Sequence, residues 1–108
     1  MKTDKVVDGV LIKATQPMPG NPYVWPEEVT EIGSHAFYNW NSFNQPFSIP
    51  KGVTEIGKYS FYYWHSFNQP FSIPEGVTKI GFNAFSRWIS FNQSFNCEEQ
   101  ISPDRLRA

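Results

Sequence analysis

The chain has 108 residues, a net charge of −1, and a makeup that is 40% hydrophobic and 18% aromatic. That length holds one small domain. The charge balance argues against nucleic acid, which calls for a basic face, and against a polybasic membrane surface. A single cysteine, Cys97, excludes an intrachain disulfide. No signal-peptide core and no run long enough to span a bilayer follows Met1-Lys2-Thr3, so a soluble, cytoplasmic protein is expected.

Residues 1–25 do not share the pattern of the rest. Val6-Val7-Asp8-Gly9-Val10-Leu11-Ile12 reads as a short strand, bent at Gly9. Gln16 to Pro22 is rich in Pro and Gly and reads as a loop. Tyr23-Val24-Trp25-Pro26 matches Phe47-Ser48-Ile49-Pro50 in shape, with larger rings. The segment is expected to form an N-terminal cap, because the first turn of a stacked array otherwise exposes its core and backbone.

From Pro26 a period of 24 residues takes over. Phe43-Asn44-Gln45-Pro46-Phe47-Ser48-Ile49-Pro50 returns unchanged as Phe67 to Pro74, and a third copy begins at Phe91-Asn92-Gln93. Self-similarity at such a period marks a solenoid. Val29, Val53 and Val77 align, as do Ile32, Ile56 and Ile80. The Phe37, Trp40 and Phe43 positions each recur twice more, and Ile49 and Ile73 are followed in their column by Cys97. Stacking would place equal positions about 4.8 Å apart, so each column becomes a ladder and the apolar ladders form the core. Few branched aliphatics remain, and the core is expected to be built largely of rings. Cys97 is expected to be a small buried hydrophobe.

Three polar columns have structural expectations. Asn44, Asn68 and Asn92, with the glutamines that follow each, are expected to satisfy the backbone of a buried turn, copy upon copy. Gly33, Gly57 and Gly81 are expected to take positive φ at the strand exit. Pro50-Lys51-Gly52 and Pro74-Glu75-Gly76 suit a type I turn with Pro second and Gly fourth, and Glu28 replaces the Gly in the first copy. Residues 98–108 read as a charged C-terminal cap, with room for a short helix from Pro103 capped by Ser102.

The string Ile49-Pro50-Lys51-Gly52-Val53-Thr54-Glu55-Ile56-Gly57, followed by Ser60-Phe61, resembles the BspA-type leucine-rich repeat. Ala36-Phe37 and Ala84-Phe85 match the family's Ala-Phe element. The resemblance covers about residues 6–97. It departs from the usual pattern in placing Phe at the Leu columns, and Trp40, Trp64 and Trp88 where a Cys is usual. The resemblance implies a β-rich, right-handed repeat solenoid of the leucine-rich-repeat type. Three 24-residue coils (residues 26–97) with short parallel strands would lie between an N-terminal cap, residues 1–25, and a C-terminal cap, residues 98–108. It also implies a surface for binding. Because the family occurs in bacteria, protists and bacteriophages, a small member without an export signal would suit a phage or mobile-element gene whose product acts in the host cytoplasm.

Catalytic chemistry has no foothold in the sequence. His35 and His65 fall in different columns, and no Cys/His spacing, phosphate loop or nucleophile elbow is present. No catalytic, cofactor or metal site is expected. Glu31, Glu55 and Lys79 share one column and read as a solvated face. The columns that vary between copies are where sequence is free to meet a partner. They carry Tyr38, Tyr59, Tyr62, Tyr63, His65, Phe82, Arg87 and Ile89, an assortment richer in rings than a solvent face requires. These residues are either a partner-binding face or a second layer over the core. A protein-interaction module is the leading reading, and one form of it is a phage protein that binds and inhibits a host enzyme or defence protein. Carbohydrate binding and a structural, self-associating role are the alternatives.

Overall fold

The computed structural model describes residues 4–93 and the backbone of residues 95–97. The expectations for residues 98–108 lie outside the described residues, as does that for the Cys97 side chain.

Strands β1 (Lys5–Val7) and β2 (Val10–Lys13) form an antiparallel hairpin in which Val7 faces Val10. The expected single bent strand is therefore two strands. Asp8 and Gly9 both take positive φ, 52° and 81°. Two left-handed residues in succession make the tight turn whose twist suits a hairpin, and Asp-Gly is a favoured pair for it.

From β2 onward the pairing is parallel. β3 (Glu31–Ile32), β4 (Glu55–Ile56) and β6 (Lys79–Ile80) extend the sheet in the order β1-β2-β3-β4-β6. β5 (Phe71–Ile73) pairs with β7 (Phe95–Cys97) in a separate two-stranded sheet. Glu31 stands in register with Glu55, Glu55 with Lys79, and Phe71 with Phe95. Every one of these steps joins residues one sequence period apart.

Between the sheets each copy runs through a chain of turns. Ala36 N–H donates to Gly33 O, and Tyr38 N–H to His35 O. No α-helix forms among the described residues. The reason lies in the backbone: His35 and Asn39 take φ of 63° and 64°, Tyr59 and Tyr63 55° and 68°, Asn83 and Arg87 53° and 69°. A left-handed residue every fourth position ends each right-handed turn before a helix propagates. Copies are joined across this arc by bonds such as Phe37 N–H to Ser60 O at 2.7 Å and Phe61 N–H to Ala84 O at 2.8 Å.

The core is a set of ring ladders. Phe37, Phe61 and Phe85 stack at 4.9 and 5.2 Å within 7° of parallel. Trp40, Trp64 and Trp88 stack at 5.6 and 5.5 Å, and Phe43, Phe67 and Phe91 at 6.2 and 6.1 Å. Between columns the rings meet edge to face, as with Phe61 and Trp64 at 5.0 Å. Both arrangements are favourable for ring quadrupoles. Two indoles also carry a backbone bond: Trp64 Nε1–H donates to Phe37 O and Trp88 Nε1–H to Phe61 O.

The polar columns correct two expectations. Gly33, Gly57 and Gly81 do not take positive φ. They are required for closeness: a Cβ on Gly57 would lie 2.6 Å from Ser34 N and 2.7 Å from Gly33 C. The Pro turns are closed by Val53 N–H to Pro50 O and Val77 N–H to Pro74 O, so Pro is first and Gly third. In the first copy Glu28 stands at that third place with φ 63°. The Asn ladder bonds as expected: Asn68 N–H donates to Asn44 Oδ1 and Asn92 N–H to Asn68 Oδ1, at 2.8 and 2.9 Å. Gln69 and Gln93 reach the same asparagines. These turns are exposed or half-buried rather than buried.

Tyr23 and Trp25 lie over the near end of the ladders, each with its ring centre 5.3 Å from that of Phe37. Tyr23 donates its hydroxyl to Asp4, which also accepts from Thr15 N–H. Burial, and then the Asp4 carboxylate, push the Tyr23 phenol well above the usual tyrosine range.

Candidate functional site

The arc of turns carries the variable columns, whose side chains are exposed or half-buried except at Ser86. Each side chain there is positioned by the backbone bonds that hold one copy against the next. His35 N–H donates to Lys58 O, Tyr59 N–H to Phe82 O, Asn39 N–H to Tyr62 O and Tyr63 N–H to Ser86 O. The left-handed residues sit at these junctions, so Tyr59, Tyr63 and Arg87 project from strained backbone.

Seven of the eight expected residues fall into one connected cluster. Tyr38 stacks on Tyr62 at 5.6 Å and 7°. Tyr62 meets Tyr63 edge to face at 4.4 Å, and Tyr59 at 5.2 Å. Phe82 stands edge-on to Tyr59 at 5.8 Å, and His65 to Tyr63 at 4.9 Å. Arg87 lies beside Tyr62. The neighbouring Tyr62 oxygen, and then Tyr63, raise the Arg87 guanidinium pKa above its ordinary value. Ile89 makes none of these ring contacts but joins Tyr62 and Arg87 in lining a shallow depression of about 500 Å³.

The cluster is divided by depth. Phe82 is 68% exposed, Ile89 72% and Tyr38 41%. Arg87 is exposed too, whereas Tyr59, Tyr62, Tyr63 and His65 are half-buried. The half-buried rings form a platform, and the exposed residues surround it. Two participants were not among the expected eight. His35 stacks on Tyr59 at 5.1 Å and 25°, with its Nδ1 2.8 Å from Ser34 Oγ. Lys58 is exposed beside Tyr59. Both occupy variable columns, which was the available signal.

A second concavity, of about 460 Å³, lies on the side of the chain carrying Phe47 and Phe71. Tyr23, Trp25, Pro46, Phe47, Ser48, Gln69 and Pro70 line it. The small polar strand-side column that holds Ser48 pointed to a shallow groove on this side, but two of its rings come from the region before the repeats.

Among the described residues, no three His, Cys, Asp or Glu side chains are grouped to hold a metal. Among them, too, no helix is long and apolar enough to cross a membrane.

The fold is a β-rich repeat of stacked rings that displays a second set of rings on its turn arc. The model of the BspA-type leucine-rich repeat region (6 copies) matches residues 21–103, and the chain belongs to that family. Leucine-rich repeats of this kind generally serve in binding and are not generally catalytic. No curated protein and no solved structure matches the chain.

Proposed function

We propose that the chain is a non-catalytic protein-interaction module whose contact surface is the aromatic arc. The observation that carries this reading is backbone strain beneath half-buried Tyr59 and Tyr63 and exposed Arg87, inside a cluster with an exposed rim. Tyr59, Tyr63 and Arg87 occupy left-handed backbone where Gly or Asn would sit more easily. Side chains kept at such a cost, roughly 1 kcal/mol each, are a reason to look for function there. Tyr and Arg are favoured at hot spots because they offer large area with few rotors.

The architecture that serves this role is three 24-residue coils over residues 26–97, flanked by caps at residues 1–25 and 98–108. A short, capped stack offers a firm surface without needing a partner to fold. The module would work in the cytoplasm. If carried by a phage or mobile element, it would act by occupying a host enzyme or defence protein.

Capture from bacterial lysate tests the reading, with wild type run beside Tyr59→Ala/Tyr62→Ala/Tyr63→Ala. Because those rings are half-buried, Tyr38→Ala/Phe82→Ala at the exposed rim is run as a second variant, and circular dichroism confirms that both are folded. A protein held by wild type and lost from both variants is the expected result. Retention by both variants would move the contact elsewhere. Carbohydrate binding is the second reading, favoured by the groove lined with Tyr23, Trp25 and Phe47, since rings of this kind stack on sugars. A glycan array without hits removes it.

A further inference from the structure

The charge on the turn arc differs from that on the rest of the chain. Residues 33–44, 57–68 and 81–92 contain no carboxylate, and their charged residues are Lys58 and Arg87, both exposed. Every described carboxylate lies instead at the hairpin end, in the Pro turns, or on β3 and β4. A chain of net charge −1 thus presents a face that is aromatic and purely cationic.

We infer that the partner meets this face with an acidic protein segment, one in which Asp or Glu alternates with apolar anchors. The inference rests on the interaction reading and gives it a chemistry. Lys58 and Arg87 supply the complementary charge, and the platform of Tyr59, Tyr62 and Tyr63 takes the anchors. Arg87 lines the depression beside Tyr62, and its planar guanidinium offers a carboxylate a paired set of donors. Single-sign charge at a rim speeds encounter and rejects partners of the same sign.

Two other occupants fit less well. A second copy of the chain would have to offer its own acidic side, but that side is mixed. Glu55 is in register with Lys79, and the Pro-turn column reads Glu27, Lys51, Glu75. Single-stranded nucleic acid wants ring faces open to stacked bases along a continuous basic track. Here two cations serve the arc, and the rings already pack on one another at 4.4 to 5.8 Å.

Selection of a random dodecapeptide display library on the full chain tests the inference. Enriched peptides are expected to carry a surplus of Asp and Glu and to bind more weakly as salt rises. They are expected to lose about tenfold in affinity for Lys58→Glu/Arg87→Glu. Peptides that need the three tyrosines but show no acidic surplus overturn this inference and leave the interaction reading standing. No enrichment, or peptides indifferent to the tyrosines, overturns both. Oligothymidylate bound in preference to the acidic peptides would overturn it in favour of nucleic acid. A dimer abolished by the double substitution, seen by sedimentation, would overturn it in favour of a second copy.

Discussion

Trp64 donates its indole N–H to the carbonyl of Phe37, 2.7 Å away in the preceding copy. The bond is buried, and both side chains belong to ladders that are themselves stacked. One residue therefore fills the core and satisfies a backbone acceptor. Trp64→Phe keeps a ring but removes the donor and leaves a small void. It should cost about 2–4 kcal/mol, the sum of an orphaned carbonyl and lost packing. Urea unfolding measures this directly. A loss under about 1 kcal/mol would mean that Phe37 O finds another donor.

Gly57 tests a different link, the approach of one backbone to the next. Its φ is not positive, so conformational strain is not the issue. A Cβ there would meet Ser34 N at 2.6 Å and the Gly33 carbonyl group, which are main-chain atoms unable to swing aside. Gly57→Ala should destabilise by about 1–3 kcal/mol, the cost of overpacking. Gly52→Ala is the control, since nothing but Val29 O lies within 4 Å of its Cβ, at 3.9 Å. Equal effects at the two positions would show that contact with the neighbouring copy does not govern these glycines.

The ladders were legible because a ladder is a column, and columns are read by alignment alone. Phe37, Trp40, Phe43 and the Asn44 turn fell where the period put them. The hairpin was present in the sequence as Asp8-Gly9, but a strand with a bend uses the same letters. Backbone sign was harder. Gly usually marks positive φ, yet here Tyr59 and Tyr63 take it while Gly57 does not. The variable columns showed which residues are free to differ, but not that Tyr38 would stack on Tyr62. That depends on the rotation of each turn, which no periodicity encodes. The Ser48 column suggested a groove, but the part played by Trp25 was hidden because it joins the loop before the repeats to Pro46 and Pro70.

Among the described residues, Ser60 is the one place where the core ladder carries an unmet polar group. Its hydroxyl is buried with no hydrogen-bond partner, and it takes the place that Ala36 and Ala84 hold in the other copies. Nothing in the structure explains the choice of Ser. Ser60→Ala removes a desolvated hydroxyl and adds no bulk. The substitution should stabilise the fold by about 1–2 kcal/mol, read as a rise in urea midpoint at unchanged slope. A fall in stability would show that the hydroxyl bonds to ordered water.

Arg87 separates stability from recognition. It is exposed, it holds φ 69°, and it neighbours Tyr62 at the surface. A left-handed conformation disfavours an L side chain by roughly 1–2 kcal/mol, whereas Gly adopts it freely. Surface contacts of this kind contribute little. Arg87→Gly should therefore leave the fold unharmed or raise its stability by about 0.5 kcal/mol, after the entropy that Gly gains in the unfolded chain is subtracted. The same substitution should weaken partner binding, because the face loses one of its two cations. Arg87→Ala should weaken binding equally without the gain in stability. Thermal unfolding and a binding titration on the three proteins decide the matter. Matched losses of stability and binding in Arg87→Gly would place Arg87 in the scaffold, not on the contact surface.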